Sequence, residues 1–272
     1  MTKLEYTFKT DTLFKILFVK YPDLLKDLIC ELLQIPKESI SQFEITNPEI
    51  PAEAIGEKFC RLDINMVVDG QRVSLEIQVQ NEGDFPERIL HQWARVYSNA
   101  IERGGEYIKL PRTIIISIID FPLLKCKEFH SEFRPLEVTR HEPLSDKMTL
   151  HFFELPKIPN DINDKNMLLL WLSLFKAETK EEIERIKSME VKVMDQAINA
   201  YYNITAESEF KEKVRLLEKA RHNEASALRH ARDEAKAEEN QKWQGVVADK
   251  ESIIADKEAE ITRLKAQLEK KC

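Results

Sequence analysis

Hydrophobic and polar residues alternate most regularly between residues 62 and 79, in the segment LDINMVVDGQRVSLEIQV. Two alternating runs flank the pair Asp69-Gly70, and such a pair between two runs is the strongest short-range signal for a β-hairpin with a two-residue turn. The turn sets the register, so Asp63 stands opposite Glu76. One side of the hairpin is then an apolar core face that consists of Leu62, Ile64, Met66, Val68, Val73, Leu75, Ile77 and Val79.

The other side of this hairpin is polar and carries Arg61, Asp63, Asn65, Ser74, Glu76 and Gln78. Directly opposed residues have β-carbons about 4.5–5.5 Å apart. Two opposed carboxylates therefore repel by roughly 3 kcal/mol at an effective dielectric near 20. Stability alone gives no reason to oppose Asp63 and Glu76, whereas a divalent cation needs such a pair. In the alternative interpretation, Arg61 neutralises both acids on a solvated face.

The same periodicities predict a mixed α/β unit around the hairpin. The run TIIISIIDF is continuously apolar and β-branched, as is typical of a strand that is buried on both faces. Pro22 suits the first turn of a helix. Helices are predicted over residues 10–34 and from Pro86 to about Arg103, and strands over 42–46, 113–121 and 147–155. This order predicts a small mixed sheet flanked by helices.

From Asp164 onward the pattern is helical. Residues 164–206 form several predicted helices, and residues 207–272 form a long charged stretch without proline. One heptad position there is apolar and contains Val247, Ile254, Ile261 and Leu268, while its companion position contains Lys250, Lys257, Leu264 and Lys271. A coiled coil is therefore possible but has lysines in its core. The predicted division is a domain over 1–157, a helical region over 158–206 and a charged tail over 207–272.

Composition and charge narrow the function classes. The net charge of −7 falls on the first 206 residues, because residues 207–272 are balanced, and this argues against tight DNA binding by charge alone. The scattered cysteines, Cys30, Cys60, Cys126 and Cys272, show no zinc-site or disulfide spacing. The amino terminus has no apolar signal core, and the apolar run 167–175 is too short to span a bilayer. We expect a cytoplasmic protein with no membrane partner.

Five sequence blocks in order resemble a known family. The blocks are TDTLFKILF, KFCRLDI, VSLEIQVQ, ERILHQWARVYS and TIIISIIDF. They resemble the Rpn family of recombination-promoting nucleases, often described as transposases, within the PD-(D/E)XK nuclease superfamily. The resemblance covers about residues 8–157 and extends more loosely to about 235. It implies a restriction-endonuclease-like α/β core and Mg²⁺-dependent DNA cleavage in recombination, transposition or defence against mobile DNA.

Carried over by motif, the resemblance implies that Asp63 and Glu76 bind the metal, with the Ile77 carbonyl completing the inner sphere. Mg²⁺ is often held by one or two carboxylates and keeps several waters, and Mn²⁺ is an alternative. Gln78 stands where the superfamily usually has lysine. Glutamine can orient a water but has no charge, so a displaced cation is expected, either Lys15 or Lys58. We favour Lys15, with Asp11 as an additional acid.

Other candidate residues have plainer interpretations beside the functional ones. Arg88, Gln92 and Arg95 share a helix stripe and either contact phosphate or form a solvated face. Asp11 and Lys15 also fit an ordinary i, i+4 pair. The expected partners are DNA and further copies of the chain, as a homodimer or higher homo-oligomer through the C-terminal helices. Two competing functions are a catalytically weakened nucleic-acid-binding or regulatory adaptor and a coiled-coil scaffold with a passive globular part.

Overall fold

The computed structural model describes residues 2–47, 63–101 and 106–269. Its described strands form one six-stranded mixed sheet of order β1-β2-β3-β4-β6-β5. The first three strands are antiparallel, β3, β4 and β6 are parallel, and β5 is antiparallel to β6. The strands are β1 (Phe43–Ile45), β2 (Ile64–Val68), β3 (Gln71–Gln78), β4 (Thr113–Ile119), β5 (His130–Phe133) and β6 (Met148–Glu154).

The predicted hairpin is confirmed in position and register. Asp69 and Gly70 have φ values of 47° and 76°, the positive values that a type I′ turn requires at both central residues. Ile64 pairs with Leu75 at the far end of the ladder, and the apolar positions of both strands are buried. The prediction for Val79 is wrong: it is 43% exposed because β3 ends one residue earlier. Leu62 lies outside the described residues.

Seven helices are described in the chain, together with short 3₁₀ turns at Lys37–Ser39, Tyr107–Lys109 and Leu155–Lys157. The predicted segment 10–34 is two helices, and Pro22 begins the second. The helices are α1 (Asp11–Lys20), α2 (Pro22–Leu33), α3 (Phe85–Ser98), α4 (Met167–Lys176), α5 (Lys180–Lys187), α6 (Lys192–Ala206) and α7 (Ser208–Glu269).

The structure corrects one predicted helix boundary and adds one strand that was not predicted. The helix expected to reach about Arg103 ends at Ser98, where the Ser98 hydroxyl donates to the Arg95 carbonyl and the following turn tightens. Residues 102–105, including Arg103, lie outside the described residues. Strand β5 has no counterpart among the predicted strands, because four residues at a sheet edge are too short to show a period.

The sheet has two differently covered faces. The core face carries the apolar positions of β2 and β3, such as Met66 and Leu75, and packs in one cluster with residues of α1, α2, α4 and α6. The opposite face, here called the α3 face, carries Glu76 and Ser117 and is covered by α3, whose Phe85 packs in a second cluster. The main core therefore lies on one side of the sheet and a smaller one under α3.

The chain divides into two compact units, residues 1–215 and 216–272. The first turns of α7 belong to the first unit, where Phe210 and Val214 are buried. The second unit continues α7, and Val247, Ile254 and Ile261 are each about half exposed on it. Within the described residues, no helix has both the length and the apolar character that a membrane span requires.

Candidate active site

Glu76 is a buried carboxylate in the middle of the sheet. It lies on β3, its side chain is on the α3 face, and only 4% of the residue is exposed. Its neighbour in the parallel pairing is Ser117 of β4, whose hydroxyl donates to Glu76 Oε1 at 2.9 Å. Burying a charged group is costly unless the group is hydrogen-bonded or paired. A carboxylate that is kept in the middle of the sheet is therefore a candidate functional group.

Asp63 lies one residue before β2, directly beyond the Ile64–Leu75 pair. Continuing the same register by one step would set Asp63 opposite Glu76 on the α3 face, which is the arrangement predicted from the sequence. The Asp63 carbonyl accepts from Lys15 Nζ at 2.9 Å and from Asn47 Nδ2 at 3.0 Å. Asn47 Oδ1 in turn accepts from the Asn65 backbone N–H at 2.7 Å. The main chain at Asp63 is thereby fixed although the strand has not begun.

Asn65 adds an oxygen that the sequence-based candidates did not include. Its Nδ2 donates to Asp63 Oδ2 at 3.2 Å, which sets the orientation of the amide. The other end, Oδ1, is sealed from solvent and accepts no hydrogen bond from the described residues. Alternation along β2 places Asn65 on the same face as Asp63, and this was the available sequence signal.

The Ile77 carbonyl is directed toward the β2 side of β3. The Gln78 carbonyl accepts a hydrogen bond from the Asp120 N–H, so the backbone groups of the even-numbered residues of β3 face β4. Ile77 is odd-numbered, and its backbone groups therefore face β2. The described ladder with β2 ends at Ile64–Leu75, so the Ile77 carbonyl lies at the level of Asp63 or just beyond it.

Gln78 ends β3 and is half-buried. Its Nε2 donates to the Gln80 carbonyl at 2.8 Å, so its amide nitrogen is held locally and its Oε1 is the end that remains to accept. Next to this point the buried Lys9 Nζ contacts two carboxylates, Asp120 at 2.5 Å and the more exposed Glu178 at 3.0 Å. Burial opposes the charge of Lys9, but these two partners raise its pKa above the usual value. No sequence pattern singled out Lys9.

Lys15 is 2% exposed, and its ammonium donates to two backbone carbonyls, those of Asn47 (2.5 Å) and Asp63. Burial lowers the pKa of Lys15 to about 8, although the nearby Asp63 charge opposes the shift. The structure thus places Lys15 beside Asp63, but its ammonium donates to the backbone carbonyl of Asp63. Asp11 opens α1, one turn before Lys15. The other candidate cation, Lys58, and Arg61 lie outside the described residues.

Helix α3 brings polar side chains to the same face. Gln92 Nε2 donates to Ser74 Oγ at 3.3 Å. Arg88 Nη1 donates to Glu82 at 2.6 Å, and the guanidinium lies over the Phe85 ring, 5.1 Å from its centroid. Arg95 is exposed. Of the predicted phosphate-contacting stripe, the structure therefore places Arg88 and Gln92 against the sheet and Arg95 toward solvent.

The oxygen atoms near Asp63 and Glu76 are ligands of the kind that a hard divalent cation binds. In the described part of the chain, no three His, Cys, Asp or Glu side chains are grouped as metal ligands. A cation at this site would therefore depend on the Asp63 and Glu76 carboxylates together with neutral oxygens. Mg²⁺ and Mn²⁺ tolerate such sparse oxygen sites because they retain waters. The Asn65 Oδ1 atom, which accepts no hydrogen bond from the residues that the structure describes, fits the same requirement.

Comparison with known proteins gives one match. A family model described as PD-(D/E)XK nuclease family transposase matches residues 8–231. No curated protein and no solved structure matches the chain. The matched range includes the hairpin, the six described strands and helices α1 to α6.

Proposed function

The chain belongs to the PD-(D/E)XK nuclease family of transposases, and from this premise we propose that it is a metal-dependent DNA endonuclease. The observation that carries the proposal is the buried Glu76 carboxylate, which accepts a hydrogen bond from Ser117 and lies one register step beyond the Ile64–Leu75 pair, on the side of Asp63. Its biological setting would be recombination, transposition or defence against mobile DNA.

Asp63, Glu76 and the Ile77 carbonyl would hold Mg²⁺ or Mn²⁺, with Asn65 Oδ1 as a further oxygen. When bound, such an ion lowers the pKa of a coordinated water and stabilises charge on a phosphate. Gln78 would orient the attacking water, because its Nε2 is held by Gln80 and its Oε1 can accept a hydrogen bond from that water. Lys15 would act as a positioning residue, since it contacts the Asp63 carbonyl.

Loss of the Ser117 hydroxyl should weaken metal binding. In Ser117→Ala, Glu76 loses a hydrogen bond that holds its carboxylate, and losing such an outer-shell partner typically costs roughly 10–100-fold in metal affinity. Isothermal titration with Mn²⁺ measures this. The matched control is Thr113→Val on the same strand, because the Thr113 hydroxyl is buried, has no hydrogen-bond partner among the described residues and should not affect affinity. Equal affinity in Ser117→Ala and the wild type would remove Ser117 from this role.

The second unit would carry self-association. Ile254 and Ile261 occupy the apolar heptad position and are about half exposed on α7, so a second copy could bury them. We expect Ile254→Asp with Ile261→Asp to convert a dimer to a monomer in sedimentation equilibrium. Ala255→Asp, one position outside the heptad core, should leave the dimer intact. A wild-type chain that sediments as a monomer would contradict this proposal.

A second candidate function is supported by Gln78. A strand without the usual lysine could belong to a weakened nuclease that binds DNA or protein as an adaptor. Plasmid nicking with Mg²⁺ or Mn²⁺ separates the two: nicks that disappear in Asp63→Ala support the nuclease, whereas DNA binding without metal binding or nicking supports the adaptor. If a chain truncated after Arg215 still nicks plasmid DNA, its globular part is active, and the hypothesis of a coiled-coil scaffold with a passive globular part is excluded.

A further inference from the structure

Arg88 is a largely buried arginine, and two of its three guanidinium nitrogens have no hydrogen-bond partner among the described residues. Its side chain is 13% exposed, and Nη1 is paired with Glu82. Nε and Nη2 are sealed from solvent and have no hydrogen-bond partner among the described residues. Unsatisfied donors on a buried charge are costly, and native structures keep few of them without a reason.

The two unused nitrogens form one edge of the guanidinium. Nε–H and Nη2–H are parallel donors, and this fork matches two oxygens of a phosphate or carboxylate. The opposite side of the group is held by Glu82, and its plane rests on the Phe85 ring. The orientation of the fork is therefore set before any ligand arrives.

The packing of α3 places Arg88 beside the carboxylates. Phe85 packs on Phe121, beyond the carboxyl end of β4, and Trp93 Nε1 donates to the carbonyl of Thr113 at the amino end. Helix α3 therefore runs antiparallel to β4 and to its parallel neighbour β3.

Gln92 contacts Ser74, and Arg88 is four residues earlier on the helix. Four helical residues span about 6 Å, and two strand residues span about 6.6 Å. Because α3 runs antiparallel to β3, four residues back along the helix correspond to two residues forward along the strand. Arg88 therefore lies at the level of Glu76, on the same face of the sheet.

Lys15 does not offer an equivalent charge. Two of its three donors go to the carbonyls of Asn47 and Asp63. Arg88 keeps a complete bidentate edge, and Gln78 has no charge at all.

We propose that Arg88 is a catalytic residue that binds two oxygens of the scissile phosphate through Nε and Nη2 and supplies the positive charge that Gln78 lacks. The inference rests on the proposed nuclease function. In the hydrolysis, the water oxygen bonds to phosphorus and one bridging P–O bond breaks. The water gives up a proton to solvent and the leaving oxygen takes one. Arg88 transfers no proton and balances the charge on the phosphate oxygens.

The test compares Arg88→Met, Arg88→Lys and the control Arg134→Met, which removes an arginine that likewise pairs with one glutamate, Glu132. Single-turnover cleavage at saturating DNA, DNA affinity and thermal midpoint are measured for each. We expect Arg88→Met to cleave roughly 100-fold or more slowly, the typical effect of losing one transition-state donor. Its thermal midpoint should be unchanged or higher, because partnerless donors are removed. Arg88→Lys should recover part of the rate, and Arg134→Met should cleave normally.

Wild-type rates in Arg88→Met, in a protein whose cleavage still disappears in Asp63→Ala, would overturn the role of Arg88 and leave the nuclease function standing. A wild-type chain that cleaves no DNA would overturn the nuclease function itself and the inference with it. A lowered thermal midpoint in Arg88→Met, together with full activity in Arg88→Lys, would show a structural cation and also overturn the proposal.

Discussion

Glu76→Gln and Asp63→Asn should each slow metal-dependent DNA cleavage by about three orders of magnitude or more. An amide has nearly the shape of the carboxylate but no charge, so it cannot hold the cation that stabilises the phosphate. A loss of about 4 kcal/mol in the transition state corresponds to a factor of about 1,000. The fold should be retained, because a glutamine carbonyl at position 76 can still accept from the Ser117 hydroxyl.

Plasmid nicking under single-turnover conditions measures the rate, and Mn²⁺ titration of the same samples measures metal binding. Glu132→Gln is a suitable control, since Glu132 lies on β5 at the opposite edge of the sheet. Its rate and metal affinity should equal those of the wild type. If both amide variants of the hairpin acids cleave as fast as the parent chain, the proposed site is wrong.

The stability difference between the wild type and Lys15→Met should increase by about 3 kcal/mol between about pH 8 and pH 10.5. The pKa of Lys15 is about 8 in the folded chain and has its ordinary value of 10.5 in the unfolded chain. Between these values the unfolded chain binds more protons, so the free energy of unfolding rises with pH. Each pH unit contributes about 1.4 kcal/mol. Methionine has no proton to lose, and its variant lacks this rise.

Chemical denaturation of both proteins at several pH values measures this difference, and contributions from all other groups cancel. Lys9→Met is the matched control, because partners raise the pKa of Lys9 in the folded chain. The stability that the Lys9 ammonium contributes is fully present below pH 10.5 and is lost only above that value. The difference in free energy of unfolding between the wild type and Lys9→Met should therefore stay flat in this window. A flat difference for Lys15→Met would contradict a buried ammonium at the Asp63 carbonyl.

These two predictions address different components of one site. The carboxylates would provide the negative charge for the proposed cation, and Lys15 with Asn47 fixes the main chain from which the Asp63 carboxylate extends. A buried ammonium used in this way cannot also serve as a free cation beside the phosphate. That separation of roles is the reason for proposing Arg88 of α3 as the source of positive charge.

The sequence alone was sufficient for the hairpin and for its register. Alternation has a period of two, and the Asp69-Gly70 turn removes the remaining freedom, so the facing of Asp63 and Glu76 follows from residues close together in the chain. The buried strand β4 was equally predictable from its continuous apolar run. Strand β5, the end of α3 and the exposure of Val79 were missed or misplaced because edge and terminal positions depend on the packing of their neighbours.

Only the tertiary structure decided which side chains surround Asp63 and Glu76. Ser117 reaches Glu76 across a parallel pairing of strands 41 positions apart in sequence, and Lys15 reaches Asp63 from a helix 48 positions earlier. Arg88 is placed by the packing of a helix over the sheet. Hydrophobic periodicity states which side of an element is buried, but it does not state which element covers that side. The hairpin was therefore determined by local sequence, and its surrounding donors and charges by the fold.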